Sequence, residues 1–187
     1  MANDLPVLET ERLVLRPYGI DDAPRVQQMC GDWAIASTTL ALPHPYPNGA
    51  AEQWISTHAE SFRQGTEVTL AVTLKPTGKV IGSIGLSVNN KHKRGELGYM
   101  IAKEHWNRGC CTEAAHTMLS YGFGVLDLNR IQAMHFPRNP ASGRVMQKLG
   151  MTREGLLRQY VCNRGAIEDL VLFSIVRREY EAAGRTA

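Results

Sequence analysis

The chain has 187 residues, of which 43% are hydrophobic and 21% charged, with a formal charge of +3. That length and balance fit a single domain, residues 1–187, with enough apolar side chains to bury a core. The charge is too small for a nucleic-acid-binding surface, and no apolar run approaches the length of a membrane span.

Leu13-Val14-Leu15, within Glu11–Pro17, reads as a first strand. Asp21-Asp22-Ala23-Pro24 has the acidic residues and early proline of a helix start, and that helix should run to about Cys30. Pro43, Pro45 and Pro47, with His44 and Tyr46 between them, make Leu40–Gly49 an irregular loop. A second helix spans about Ala50–Gln64 and ends at Gly65, suited to a left-handed cap. The pattern then turns extended. Val68–Leu74 and Lys79–Val88 are strands joined by the turn Lys75-Pro76-Thr77-Gly78. Lys91-His92-Lys93-Arg94 precedes the next strand, Glu96–Ile101, and reads as a solvated hairpin turn. A helix opens at Thr112 and ends near Leu126, with Ala115, Met118, Leu119 and Gly122 at the spacing of a buried face. Asn129–Phe136 is a strand and Ala141–Leu149 a helix capped by Gly150. Leu156–Cys162 and Ile167–Val176 form a terminal hairpin about Asn163-Arg164-Gly165. The order is β-α-α-β-β-β-α-β-α-β-β, an α+β domain around one central sheet.

The chemistry concentrates in Trp106-Asn107-Arg108-Gly109-Cys110-Cys111-Thr112-Glu113-Ala114, between a strand and a helix. A glycine loop at a helix start presents unpaired N–H groups at the positive end of the helix dipole, a site for phosphate or pyrophosphate. Glu113 complements that dipole but would repel a phosphate, so its side chain should point away. The four cysteines, Cys30, Cys110, Cys111 and Cys162, lack zinc spacing and are expected to be reduced thiols. No histidine stands in a partner arrangement that would make Cys110 or Cys111 an acyl carrier, and the six histidines show no ligand spacing, so no metal is expected. Trp33, Trp54 and Tyr46 read as core or as an apolar cleft wall. Met1-Ala2-Asn3-Asp4 does not read as a signal peptide, and a soluble cytoplasmic protein is expected.

These blocks, in this order, resemble the GNAT N-acetyltransferase superfamily, which moves acetyl from acetyl-coenzyme A to an amine. The family signature Gln/Arg-x-x-Gly-x-Gly/Ala falls on Trp106, Gly109 and Cys111, of which only the glycine matches strictly. The wider run Gly98-Tyr99-Met100-Ile101, Trp106-Asn107-Arg108-Gly109 and Thr112-Glu113-Ala114 is similar to the RimJ/RimL-type branch, which acetylates ribosomal-protein N-termini and commonly carries Trp at that first position. A second block, Asn139-Pro140-Ala141-Ser142, Arg144-Val145 and Lys148-Leu149-Gly150-Met151, resembles the branch pattern Asn-x-x-Ser-x-x-Val-x-x-Lys-x-Gly-Phe. Leu8 to Pro17 resembles its first strand, so the likeness runs from about Leu8 to Tyr180.

The resemblance implies a mixed sheet of about seven strands flanked by helices. It also implies acetyl-coenzyme A as cosubstrate, its pyrophosphate held by backbone N–H groups of Arg108, Gly109, Cys110, Cys111 and Thr112. Cys111 is larger than the usual glycine or alanine and crowds that loop. Asn139, a good helix N-cap, would also hydrogen bond the pantetheine arm, and Ser142 would donate to the leaving thiolate. Backbone N–H near Met100 or Ile101 would hold the thioester oxygen. An acceptor amine attacks only when unprotonated, and Glu96, on the strand entering the loop, is the first candidate to take its proton. From the residues alone Glu96 reads equally as an exposed strand glutamate paired with a basic neighbour. Asp169 is implied as a substrate-orienting residue or alternative base. The acceptor, a peptide N-terminus or a small amine, is left open, as is a monomer or homodimer. A non-catalytic coenzyme A-binding module is the rival reading.

Overall fold

The computed structural model describes residues 4–40 and 42–184. Two short strands, β1 (Leu8–Glu9) and β2 (Leu13–Arg16), precede the helices α1 (Ala23–Cys30), α2 (Trp33–Ala36) and α3 (Ala50–Arg63). Strands β3 (Glu67–Leu74), β4 (Val80–Asn89) and β5 (Arg94–Ile101) follow, then α4 (Cys110–Gly124), β6 (Arg130–His135) and α5 (Pro140–Lys148). The hairpin β7 (Thr152–Asn163) and β8 (Ala166–Val176) and a last helix α6 (Arg177–Ala182) end the described chain. The expected order is present with three additions, β1, α2 and α6. Each is too short to carry a hydrophobic period. Local chemistry makes α2: the Asp32 side chain accepts from the Ala34 N–H at 2.8 Å and caps it.

The sheet therefore has eight strands rather than about seven, in the order β1-β2-β3-β4-β5-β6-β8-β7. Every pairing is antiparallel except β5 with β6. Alternation along the central strands divides the side chains between two cores. Leu70, Val72, Ile84, Leu86 and Leu97 pack beneath α4, whose Ala115, Met118 and Leu119 are fully buried, as the helical spacing predicts. Ala71, on the other face, meets α1 and α3 through Val26, Met29, Ala51 and Ile55. The basic run Lys91–Arg94 is an exposed turn in which Lys93 takes a left-handed conformation (φ 46°). No helix among the described residues is long and apolar enough to cross a membrane.

One break in the sheet positions everything that follows. β5 pairs with β6 only across Arg94–Glu96 and Arg130–Gln132. Beyond Glu96, β5 stays with β4 as far as Ile101, while β6 stays with β8 as far as His135. The sheet splits there, leaving the outer edge of Leu97–Ile101 without a strand partner. Gly82 lets β4 follow β5 to its end: a Cβ there would collide with the Met100 carbonyl oxygen and stand 2.6 Å from Ile101 Cδ1.

Candidate active site

A cavity of about 960 Å³ opens at the split and reaches through to both faces of the sheet. On the α4 side its wall is the loop that the sequence singles out. Gly109 (φ 80°) and Asn107 (φ 59°) bend the chain through left-handed conformations into α4, at whose first turn N–H groups lack helical acceptors. Gly109, Cys110, Cys111, Thr112, Met100, Ile101, Asn139 and Ser142 all line this cavity. Arg144 and Lys148, on α5, add two cationic side chains to the wall.

Arg108, expected to contribute its backbone N–H, is not among the residues that line the cavity; its carbonyl accepts from Arg12 Nη1 at 2.9 Å. The same arginine grips Glu113, with Nε 2.7 Å from Oε2 and Nη2 2.6 Å from the same oxygen, and Thr10 Oγ1 donates to Oε1. Glu113 thus turns toward β2 and away from the cavity, as its charge requires. Burial opposes its ionisation, but hydrogen bonds from Thr10 and Arg12 outweigh this and hold the carboxyl below its ordinary value. The loop is tied down by a residue 96 positions earlier.

Both departures from the family signature have a place in this geometry. The Trp106 indole N–H donates to the Ile101 carbonyl at 2.6 Å, occupying a backbone acceptor at the end of β5. Cys111 is half-buried, and burial pushes its thiol up to about 12, so it stays a neutral wall group rather than a nucleophile. Asn139 caps α5, its Oδ1 accepting from the Ser142 N–H at 3.3 Å. Tyr99, on β5, places its hydroxyl 2.9 Å from Ser142 Oγ.

The other half of the cavity lies under α1–α3. Glu67, Ser87 and Glu96 stand in register across β3, β4 and β5 and line its floor. Glu96 accepts from Gln132 Nε2 at 3.0 Å, across the last rung before the split, so its partner is an amide rather than a basic side chain. Ile35, Leu42, Tyr46 and Trp54 form an apolar roof. Trp33 lies outside it, 54% exposed, with the Arg164 guanidinium 5.4 Å from its ring. The tip of the β7–β8 hairpin clamps the roof from that side. Arg164 Nη2 donates to the carbonyls of Ala36 and Leu42, both at 2.7 Å. Arg138, paired with Glu168, donates to the Ser37 carbonyl at 2.6 Å.

Asp169 is not brought to this cavity. Three residues of β7, Arg158, Gln159 and Tyr160, bulge opposite it, and its Oδ1 accepts from the Gln159 N–H at 2.7 Å. It lines a separate shallow hollow with Leu156–Tyr160, and its neighbour Leu170 faces the main cavity instead. The bulge, which no sequence pattern marks, gives the Asp169 carboxylate this backbone partner. Sequence reasoning also passed over Arg12, Arg164 and Gln132. Each acts on a part of the chain distant from it, so no local spacing marks it.

The acetyltransferase (GNAT) domain family model matches residues 12–152. YoaA of Bacillus subtilis (strain 168), named as an uncharacterized N-acetyltransferase, is 35% identical over 173 residues, covering 92% of this chain and 97% of its own length. Spermidine N(1)-acetyltransferase of Escherichia coli (strain K12) is 28% identical over 110 residues, 58% of this chain and 59% of that one. Among solved structures, RimL, a ribosomal L7/L12 α-N-protein acetyltransferase in complex with coenzyme A, superposes with a TM-score of 0.83 over 91% of this chain and 98% of that one, at 15% identity. At that identity the superposition speaks for the fold alone; the family is shown by the domain match and by YoaA. The chain belongs to the GNAT acetyltransferase family and is an acetyltransferase enzyme.

Proposed function

We propose that this enzyme transfers acetyl from acetyl-coenzyme A directly to a primary amine, with both substrates bound at once. The observation that carries this reading is the split at Glu96, which joins the α4 N-terminus and the roofed half under α1–α3 in one cavity. The donor enters from the α4 side and the amine from the other. The N–H groups of Gly109–Thr112 hold the pyrophosphate at the helix dipole, and Arg144 and Lys148 lie close enough to add positive charge. Asn139 adds a polar contact for the pantetheine arm, and the open edge of β5 offers the Ile101 N–H, beside Met100, to the thioester oxygen.

Glu96 takes the proton that the amine must lose, directly or through water. An N-terminal amine, near pKa 8, asks less of it than a lysine at roughly 10.4. Ser142 donates to the thiolate, which with a thiol pKa of roughly 8.5 needs only modest help to leave. The reaction drawn in this way uses no metal. The acceptor is a protein N-terminus or a small amine, the classes named for RimL and for the spermidine enzyme. The carboxylates of Glu67 and Glu96 on the floor suit an acceptor that arrives as a cation. This RimJ/RimL-like enzyme acts in the cytoplasm as a monomer or homodimer, without a nucleic-acid or membrane partner.

Thiol release from acetyl-coenzyme A, measured with a panel of peptides, polyamines and amino acids, tests the reading. Amine-dependent release from at least one class is expected. Tight coenzyme A binding with no release from any of them would instead mark a non-catalytic binding module.

A further inference from the structure

Tyr99 and Ser142 form a two-hydroxyl pair on the donor side of the split. Beside the 2.9 Å contact between the two hydroxyl oxygens, the Tyr99 hydroxyl donates to the Ser142 carbonyl at 3.2 Å. Only two protons serve three oxygens here, and which hydroxyl donates to the other is set by what else is nearby. When Tyr99 points at the carbonyl, the Ser142 proton is drawn toward Tyr99 and away from any ligand. When Tyr99 swings to Ser142 Oγ, the serine proton is released to point into the cavity.

Burial drives the Tyr99 phenol well above its ordinary range, and the nearby Cys111 thiol works in the same direction. The phenol therefore keeps its proton at working pH, and its place 2.9 Å from Ser142 Oγ suits an orienting donor. The pair lies between the open edge of β5 and the N-terminus of α5, both of which line the cavity.

Resting on the acyl-transfer reading above, we propose that Tyr99 is a positioning residue that turns the Ser142 hydroxyl toward the departing sulfur. In the step it assists, the acceptor nitrogen bonds to the acetyl carbon and the carbon–sulfur bond breaks with its electron pair on sulfur. The amine proton leaves toward Glu96. The thiolate is held by the Ser142 O–H, and the Tyr99 O–H fills the lone pair on Ser142 Oγ that this rotation exposes. Each hydrogen bond in the chain polarises the next, so the pair is a stronger donor than a lone serine.

Tyr99→Phe keeps the ring and removes the hydroxyl. Its kcat should fall about tenfold, the effect of one buried hydrogen bond, with KM for acetyl-coenzyme A changed less than about twofold. In a Ser142→Ala background the same change should cost nothing further, because the interaction it serves is already gone. Equal losses in both backgrounds would mean a structural role and overturn the proposal. Bound coenzyme A gives a readout independent of turnover: its thiolate absorbance, titrated against coenzyme A-free protein, should yield a lower thiol pKa in the parent enzyme than in Tyr99→Phe or Ser142→Ala. Identical values in all three would also overturn it. Were the enzyme to bind coenzyme A and acetylate no amine, the acyl-transfer reading would fall, while the thiol titration would still decide whether Tyr99 directs Ser142.

Discussion

The two halves of the cavity are built in opposite ways. The donor half is made of two continuous stretches of chain: the end of β5 through the loop at Gly109 to the first turn of α4, and α5 with its cap, Asn139 to Lys148. The acceptor half is assembled from distant pieces: α1–α3, one row across β3, β4 and β5, and a hairpin tip that reaches back to Ala36 and Leu42. On the reading proposed above, the coenzyme is held by local geometry. The acceptor is bounded by parts of the chain that can change separately. Substitutions should therefore separate cleanly, each damaging one half and sparing the other.

The largest effect is expected at Gly109. Its φ of 80° disfavours any side chain, and a Cβ would stand 3.3 Å from Arg12 Nη2. Gly109→Glu adds a carboxylate beside the donor's phosphates, so coenzyme A affinity should drop by at least about a hundredfold by calorimetry, roughly 2.7 kcal/mol. Retained affinity would place the phosphates elsewhere. Next comes Glu96→Gln, which preserves the hydrogen-bonding shape toward Gln132 but removes the base. Its kcat should fall between about tenfold and a hundredfold at neutral pH, within the usual range for a general base. The deficit should shrink as pH rises and the acceptor loses its own proton. A kcat equal to the parent at every pH would remove Glu96 from the reaction.

Arg164→Ala probes the other half. Its guanidinium holds two roof carbonyls, and without it the α2–Leu42 segment loses its tie to the hairpin. KM for the amine should rise several-fold, on the order of 1 kcal/mol, while KM for acetyl-coenzyme A stays put. An effect on the donor alone would contradict the division into halves.

What the sequence made legible follows the same division. Gly109, Asn139 and the helix starts carry their reasons locally, as a left-handed turn, a cap and a dipole, and the structure places them on the cavity wall. Glu96 stands on the strand entering the loop, a position the sequence itself shows, and it lines the cavity floor. Asp169, implied only by the family resemblance, lies off the main cavity, and the three residues of β7 that oppose it leave no mark in the sequence. The short elements β1, α2 and α6 span two, four and six residues, too few for any period to register. The arginines at 12, 138 and 164 look like ordinary surface charges until the fold brings carbonyls to them.

The smallest predicted effect concerns the tie beneath the donor loop. Glu113 has its folded-state carboxyl held below the ordinary value, which is roughly 4.3 for a glutamate in an unfolded chain. A group depressed on folding stabilises the fold at pH above that unfolded value, and the contribution is lost as pH falls through the folded one. Arg12 is half-exposed, so solvent screening keeps the total small. Thermal midpoints of the parent and of Glu113→Gln should differ by a few degrees near neutrality. The gap should narrow steadily as the pH is lowered from about 5 toward 3, because protonation makes the parent resemble the variant. Carboxylates elsewhere titrate in both proteins and cancel in the difference. A gap that stayed constant over this range would mean that the charge of Glu113 does not hold the loop, leaving its uncharged hydrogen-bonding shape to Thr10 and Arg12 to do so.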